Sequence, residues 1–354
     1  RTISMSSIKP SYDAVIIGSG HNGLVVASYL AKAGLSVLVA ERNAEIGGAT
    51  QSKQAFTGVG ARLSVYSYLV SLVPDKIIKN LGLRLQLKSR KTASYTPAFE
   101  NGNLRELLIR NDDPNSNREA FLALTGSEDD YLGYLALQDM QSQLATAVWP
   151  SLTKPLVSRD DMRHQMGTDG EDAWQDLIEN PLGQAIERLI SDDLIRGLVF
   201  TDGRIGLSTF PHDPSLIQNR SFLYHVIGRG TGEWRVPVGG MGALVNELVR
   251  VALSTGNVEI VTEASVSHVA PGKKRSSLTI EADGTTVETD ARFVLCNASA
   301  QILNQLTGAA SKSEAPPLEG AGFKINMLLE RLPQLLSKQC APAEAFAGTF
   351  HIDE

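Results

Sequence analysis

The chain has 354 residues, of which 42% are hydrophobic and 20% are charged, and its formal net charge is −6. This length is enough for two domains with large cores, and the negative charge argues against a general affinity for nucleic acid. No apolar run approaches the roughly 18 residues that cross a membrane, and the N-terminal segment RTISMSSIKP contains no apolar core of a secretory signal.

The sequence contains two cysteines, Cys296 and Cys340, which lie far apart and form no C-x-x-C pair. This usage indicates a reducing compartment and argues against a dithiol redox centre. We therefore expect a cytoplasmic protein, with the mitochondrial matrix as the alternative.

Residues 12–50 show the order of a dinucleotide-binding βαβ unit. An apolar run at 14–17 predicts a strand, which leads into G-x-G-x-x-G at 18–23. The following apolar residues have helical spacing, and a second apolar run at 37–40 predicts another strand that ends in Glu41. A lone G-x-G-x-x-G is a weak signal, but here the helix, the second strand and the acid all follow at the spacing that such a unit has.

Each of these residue types has a physical role in such a unit. Gly18 permits the tight turn, Gly20 lets a pyrophosphate approach the backbone, and Gly23 lets the helix pack close to the sheet. The N-terminus of the helix offers unpaired N–H groups to phosphate. Glu41 lies where a carboxylate accepts hydrogen bonds from ribose hydroxyls. The alternative is a glycine turn that packs without a ligand, but it leaves the position of Glu41 unexplained.

A second pair of glycines, Gly47 and Gly48, follows this acid. Two adjacent residues without Cβ atoms allow the chain to pass close to the cofactor again, and the alternative is a simple turn. Arg42 offers a different interpretation, because an arginine at this position can bind the 2′-phosphate of NADP. We rank that interpretation lower, since Glu41 would repel the phosphate.

The pattern ER-x(4)-GG after G-x-G-x-x-G resembles the FAD-binding amine oxidase and carotenoid (phytoene) desaturase superfamily. The segments GSGHNGL, GGAT and SVYSYLVSLVP are similar to the phytoene-dehydrogenase-related oxidoreductases, a branch that includes the pyridine nucleotide-disulfide oxidoreductase domain-containing protein 2 group. The resemblance implies that FAD is the cofactor. The cofactor-binding residues that we expect in this region are Gly18, Ser19, Gly20, His21, Asn22, Gly23, Glu41, Arg42, Gly47, Gly48 and Ala49.

The segment from 51 to 235 carries weaker signals. Tyr66 lies in an aromatic stretch and is a weak candidate for the wall of a substrate cavity, with core packing as the alternative. Residues 129–148 predict an amphipathic helix. The apolar face that we predict for this helix consists of Leu132, Leu135, Leu137, Met140 and Leu144.

Two histidines are further weak candidates for the cavity wall. GLSTFPHDP and LYHVIG resemble segments of the substrate domain in the same family branch, and they contain His212 and His225. A structural or surface role is the alternative for each histidine. The six histidines show no metal-ligand spacing, so we predict no metal site.

The motif VPVGGMGALVNEL at 236–248 is a second match to the family, in which it marks the return to the nucleotide-binding domain. We predict further strands at 258–262, 265–269, 278–283, 286–290 and 291–299, with a hairpin turn at 283–284. The resemblance implies that the backbone of Val266 pairs with adenine and that the last return strand ends near Asn297, which we add to the cofactor-binding residues. Residues 323–330 predict another strand of the substrate domain.

We therefore predict an α/β protein in which a Rossmann-like, glutathione-reductase-like FAD-binding domain is interleaved with an α+β substrate domain. The FAD-binding domain is expected at 1–74 and 236–310. The substrate domain is expected at 75–235 and 311–354. Members of the superfamily commonly have a further C-terminal FAD segment, which this sequence lacks, so we expect a C-terminally shortened member.

The function implied by the resemblance is that of an FAD-dependent oxidoreductase of the desaturase or dehydrogenase type. It would move a hydride from a small-molecule, apolar substrate to the flavin. One alternative is a dinucleotide-binding but catalytically silent scaffold or regulatory protein, and another is an NAD(P)-dependent dehydrogenase. The sequence identifies no catalytic residue, and it leaves open a peripheral membrane contact and an oligomeric state.

Overall fold

The computed structural model describes residues 1–230, 232–309 and 322–352. These residues form two compact units, each assembled from several stretches of the chain. Unit 1 contains Arg1–Leu69, Ile77–Leu87 and 236–309, and unit 2 contains Val70–Lys76, the described part of Lys88–Arg235, and 322–352. No helix of the described residues is both long and apolar enough to span a bilayer.

The strands and helices are numbered in chain order. The strands are β1 (Ser11–Ile17), β2 (Val37–Ala40), β3 (Ser52–Gln54), β4 (Arg62–Ser64), β5 (Leu87–Ser89), β6 (Thr92–Glu100), β7 (Asn103–Arg110), β8 (Arg235–Pro237), β9 (Val258–Val261), β10 (Ser265–Ala270), β11 (Ser276–Ala282), β12 (Thr285–Cys296) and β13 (Thr349–Phe350). The α-helices are α1 (His21–Lys32), α2 (Asp75–Leu81), α3 (Pro114–Thr125), α4 (Asp129–Val148), α5 (Arg159–Met166), α6 (Glu171–Trp174), α7 (Leu182–Leu189), α8 (Asp193–Arg204), α9 (Ile217–Val226), α10 (Gly242–Ser254), α11 (Ala300–Thr307) and α12 (Pro342–Ala345).

Unit 1 is built on a six-stranded sheet with the order β10-β11-β12-β1-β2-β9. β1 runs parallel to both β2 and β12, and β2 runs parallel to β9. The residues of β2 are all buried, and most of β1 is buried too, as expected for central strands of a parallel sheet. Because β12, β1 and β2 are parallel neighbours, their carboxyl ends meet at one edge of the sheet.

The return to this sheet differs from the prediction of two separate strands at 286–290 and 291–299. The structure has one continuous strand, β12, of 12 residues. Its first part pairs antiparallel with β11 and its second part pairs parallel with β1. The strand continues past residue 290 because a neighbouring strand takes up its backbone hydrogen bonds on both sides of that position. The predicted hairpin turn at 283–284 is confirmed, since Asp283 and Gly284 have φ angles of 44° and 75°.

Unit 2 combines a helical core with a three-stranded sheet of order β13-β6-β7. The predicted helix at 129–148 is confirmed as α4, but part of its predicted apolar face is wrong. Leu137 and Leu144 are buried, whereas Leu132 and Leu135 are 57% and 40% exposed. Since a helix turns about 100° per residue, Leu132 points well away from the side that carries Leu137.

The strand predicted at 323–330 is wrong, because this segment has no β-partner among the described residues. Phe323 and Met327 are 91% and 71% exposed. Alternating apolar residues form a stable strand only where a neighbour takes up the backbone hydrogen bonds and a core takes up one face. The predicted boundary between residues 310 and 311 lies outside the described residues.

Gly133 of α4 provides a test of the packing in unit 2. A Cβ atom at this position would lie 1.8 Å from the backbone oxygen of Leu189. We expect Gly133→Ala to lower the free energy of unfolding by about 3 kcal/mol, the upper range for overpacking a core. Gly197 in α8 is the matched control, because a Cβ atom there meets no atom within 4 Å.

We expect Gly197→Ala to raise the free energy of unfolding by about 0.5–1 kcal/mol, since alanine favours the helix over glycine. Urea unfolding followed by circular dichroism measures both variants. Equal effects of the two substitutions would contradict the close packing of α4 against the end of α7.

Candidate dinucleotide-binding site

The carboxyl ends of the three parallel strands bring together residues that are distant in sequence. Gly18 follows β1, Glu41 follows β2, and Asn297 follows β12. The Gly18 N–H donates to the backbone oxygen of Ala40 at 2.8 Å, and the Asn297 N–H donates to that of Ile17 at 2.9 Å. The glycine turn, the acid and the return strand therefore share one edge of the sheet in unit 1.

Close contacts explain why the first turn contains glycines. Gly18 has a φ of 95°, in the region that favours glycine. A Cβ atom on Gly23 would lie 2.6 Å from the Gly18 oxygen, so glycine lets α1 begin this close to β1. A Cβ atom on Gly20 would lie 2.8 Å from the end of the Asn297 side-chain amide. The space beside the Gly20 Cα thus holds the Asn297 side chain.

The side-chain amide of Asn297 lies against the start of α1. When its oxygen faces the turn, this oxygen lies 3.2 Å from the Gly20 nitrogen and 3.3 Å from the Gly23 nitrogen, an orientation that satisfies both donors. The N–H groups of His21 and Asn22 have no acceptor among the described residues, as expected for the first turn of a helix. Two N–H groups at the positive end of α1 are therefore left for a ligand.

The carboxylate of Glu41 is buried, with 4% of the residue exposed. Its Oε2 accepts hydrogen bonds from the Ser19 N–H at 2.9 Å and from the Ser19 hydroxyl at 2.6 Å. Its Oε1 accepts from the N–H and the side-chain amide of Asn43, both at 2.9 Å. Glu41 therefore points toward the glycine turn and ties it to the end of β2.

The hydroxyl of Ser19 extends this network to the second pair of glycines. It accepts a hydrogen bond from the Gly47 N–H at 3.2 Å while it donates to Glu41. A Cβ atom on Gly47 would lie 2.8 Å from the side chain of Val245 in α10, and one on Gly48 would lie 3.2 Å from the Gly20 Cα. The second glycine pair is thus held between α10 and the first turn.

His21, the first residue of α1, is half-buried beside Thr50. Its Nδ1 lies 2.9 Å from the Thr50 hydroxyl. Burial lowers the pKa of His21, which favours the neutral ring, and the tautomer of that ring decides whether Nδ1 or the Thr50 hydroxyl donates. Thr50 was not predicted from the sequence, because this contact forms only when the second glycine loop returns to α1.

Val266 is buried and lies on β10, the outermost strand on one side of the six-stranded sheet. The start of β10 is tied to the end of β2, because the Ala264 N–H donates to the Glu41 backbone oxygen at 2.9 Å. Val266 is therefore near the Glu41 end of the sheet, and its pairing with adenine stays a prediction. Arg42 and Ala49 are exposed residues that flank the network, and their predicted roles are likewise untested.

The three weak candidates for a substrate cavity have different surroundings. Tyr66, in unit 1, is 65% exposed. His212, in unit 2, pairs with Glu187 at 2.8 Å near the surface. His225, also in unit 2, packs against Trp234 with their ring centres 6.1 Å apart. None of these positions identifies a substrate contact, so their roles stay predictions. No group of three or more potential metal ligands is found among the described residues.

Unit 2 contains a polar cluster around Asp202 that the sequence analysis missed. The Ser221 hydroxyl donates to the backbone oxygen of Asp202 at 3.0 Å, and the Nδ1 of His225 donates to the backbone oxygen of Ser221 at 2.7 Å. Burial raises the pKa of Asp202 to about 6, although the charges of His225 and Arg90 offset part of that rise. An acid in the middle of an otherwise ordinary helical pattern gives no signal of this burial.

Residues 16–73 match the family model described as an NAD(P)-binding Rossmann-like domain. The chain is 41% identical over 354 residues to an uncharacterized protein of Mycobacterium tuberculosis, covering 99% of this chain and 65% of the relative. It is 30% identical over 381 residues to pyridine nucleotide-disulfide oxidoreductase domain-containing protein 2 of Mus musculus, covering 96% of this chain and 64% of the relative. The chain thus spans less than two thirds of the length of these relatives.

The fold is similar to that of a cyclohexylamine oxidase from Brevibacterium oxydans, with a TM-score of 0.51 and 19% identity over 84% of this chain and 60% of that one. At this identity the similarity concerns the fold alone. The sequence matches confirm the predicted resemblance to the pyridine nucleotide-disulfide oxidoreductase domain-containing protein 2 group. The family model and the similar fold confirm the α/β class with a Rossmann-like dinucleotide-binding domain.

The raised pKa of Asp202 predicts a pH-dependent effect of Asp202→Asn. In the unfolded chain an aspartate ionises near pH 3.8, whereas in the folded protein it ionises near pH 6. The wild type therefore loses stability as the pH rises through this window, and the asparagine variant does not. We expect the variant to gain about 2 kcal/mol relative to the wild type between pH 4 and pH 7, measured by urea unfolding. A pH-independent difference would contradict the burial of this carboxyl group.

Proposed function

Because the chain contains an NAD(P)-binding Rossmann-like domain and is homologous to pyridine nucleotide-disulfide oxidoreductase domain-containing protein 2, we propose that it is an FAD-dependent oxidoreductase of the desaturase or dehydrogenase type. In this proposal, residues 1–74 and 236–310 form the FAD-binding domain. Residues 75–235 and 311–354 form the substrate domain. Bound FAD would supply the hydride acceptor, and the residues of unit 1 would hold its adenosine diphosphate half.

The observation that carries the proposal is the combination of two N–H groups without an acceptor among the described residues and a buried acid, both at the carboxyl ends of the parallel strands. The N–H groups of His21 and Asn22 would bind the pyrophosphate at the positive end of α1. Glu41 would bind the adenosine ribose, and a buried carboxylate at this position disfavours a 2′-phosphate by charge repulsion. The acid therefore favours a ligand without a 2′-phosphate, such as FAD, over NADP.

The second glycine pair supports the same assignment. Gly47 and Gly48 are held against the first turn, so the chain passes the proposed pyrophosphate site twice. A single glycine turn, which a nicotinamide-binding enzyme also contains, does not need this second approach. The proposal of a small-molecule, apolar substrate rests on the family resemblance, and we assign no residue of this chain to the chemical step.

Purified protein mixed with FAD and then desalted provides the first test. We expect it to retain flavin absorption in the visible range and to lose that colour when a reductant is added. A colourless protein that still binds ADP would replace the proposal with a catalytically silent, dinucleotide-binding scaffold. Hydride exchange with NADH by a protein that retains no flavin would replace it with an NAD(P)-dependent dehydrogenase.

The contribution of the His21 N–H can be tested separately with His21→Pro. Proline lacks this N–H group but suits the first position of a helix, and Gly20 before it has the extended ψ of 163° that a following proline needs. His21→Ala is the matched control, because it removes the same side chain and keeps the N–H. We expect FAD to bind His21→Pro roughly 10-fold or more weakly than His21→Ala, the scale for a lost charged hydrogen bond. Equal affinities in a fluorescence titration would contradict the phosphate role of this group.

A further inference from the structure

The carboxylate of Glu41 has no acceptor site left in this structure. A carboxylate offers about four lone-pair positions, and Glu41 accepts hydrogen bonds from two donors of Ser19 and two donors of Asn43. A ribose hydroxyl can donate to Glu41 only if one of these donors moves away. The identity of that donor determines how the sugar enters the site.

Three of the four donors are held in place by other bonds. Two are backbone N–H groups, and the backbone at Asn43 is fixed because its oxygen accepts a hydrogen bond from the Glu263 N–H at 3.1 Å. The third is the hydroxyl of Ser19, which is fully buried and also holds the Gly47 N–H. Moving any of these groups would leave a buried polar atom unpaired, which costs about 1–3 kcal/mol.

The fourth donor is different, because Asn43 is an exposed residue. Its side-chain amide donates to Oε1 of Glu41 at 2.9 Å and has no other hydrogen-bond partner among the described residues. Rotation about the side-chain bonds would move this amide into water, where its hydrogen-bonding capacity is satisfied. The amide can therefore leave without creating an unpaired buried group.

We propose that, when no ligand is bound, the side-chain amide of Asn43 occupies the position of a ribose hydroxyl, and that it is displaced when an adenine dinucleotide binds. This inference rests on the proposed function, because it takes the ligand to be an adenosine diphosphate group. Asn43 then limits the affinity of the site, since each binding event must break its bond to Glu41. Without a ligand, the same bond keeps the buried carboxylate fully paired.

The test compares Asn43→Ala with the wild type by calorimetric titration of two probes, ADP and 2′,3′-dideoxy-ADP. The variant lacks the competing amide, so we expect it to bind ADP about 3- to 10-fold more tightly. The affinity for the dideoxy probe should stay unchanged, because that probe has no ribose hydroxyl to give to Glu41. Ala44→Ser, at an exposed neighbour, is the control and should bind both probes like the wild type.

Each outcome decides between clear alternatives. Unchanged or weaker binding of ADP by Asn43→Ala, or the same change for both probes, would overturn the role of Asn43 and leave the proposed function intact. A wild type that binds neither ADP nor FAD would overturn both. Because Asn43 is exposed, we expect the variant to fold, and an unchanged thermal unfolding midpoint checks this.

Discussion

The buried carboxylate of Glu41 is the interaction on which the rest of the candidate site depends. A carboxylate that is removed from water needs hydrogen-bond donors, because an unpaired buried charge is very unfavourable. Here Ser19 and Asn43 supply those donors. Since the Ser19 hydroxyl also holds the Gly47 N–H, one charged group fixes the first turn, the end of β2 and the second glycine loop relative to one another.

The start of α1 complements this acid with a positive potential. Asn297 takes up the N–H groups of Gly20 and Gly23, so that those of His21 and Asn22 remain for a ligand. Burial lowers the pKa of His21 and so disfavours a charge on its ring, and the positive potential of this helix end comes from oriented N–H groups. This arrangement is the basis for our proposal that a pyrophosphate binds at this helix end and a ribose at Glu41.

The local parts of this site were predictable from the sequence, and the long-range contacts were not. The strand, helix and acid of the βαβ unit follow from apolar spacing and glycine positions, which depend on neighbouring residues only. Neither Asn43 nor Thr50 was predicted, since the contact of Thr50 with His21 forms only by tertiary packing, and an asparagine two residues after an acid does not show that the two side chains pair. The strand predicted at 323–330 failed for the related reason that alternation says nothing about whether a partner is present, and the burial of Asp202 is likewise a property of the folded unit.

The most direct measurement is a titration of isotope-labelled protein with ADP, followed by the backbone amide resonances of His21 and Asn22. We predict saturable shifts of both resonances with ADP and no comparable shifts with adenosine, because only ADP carries the phosphates that meet these N–H groups. Resonances of His21 and Asn22 that stay unchanged at saturating ADP would contradict a dinucleotide site at this helix end.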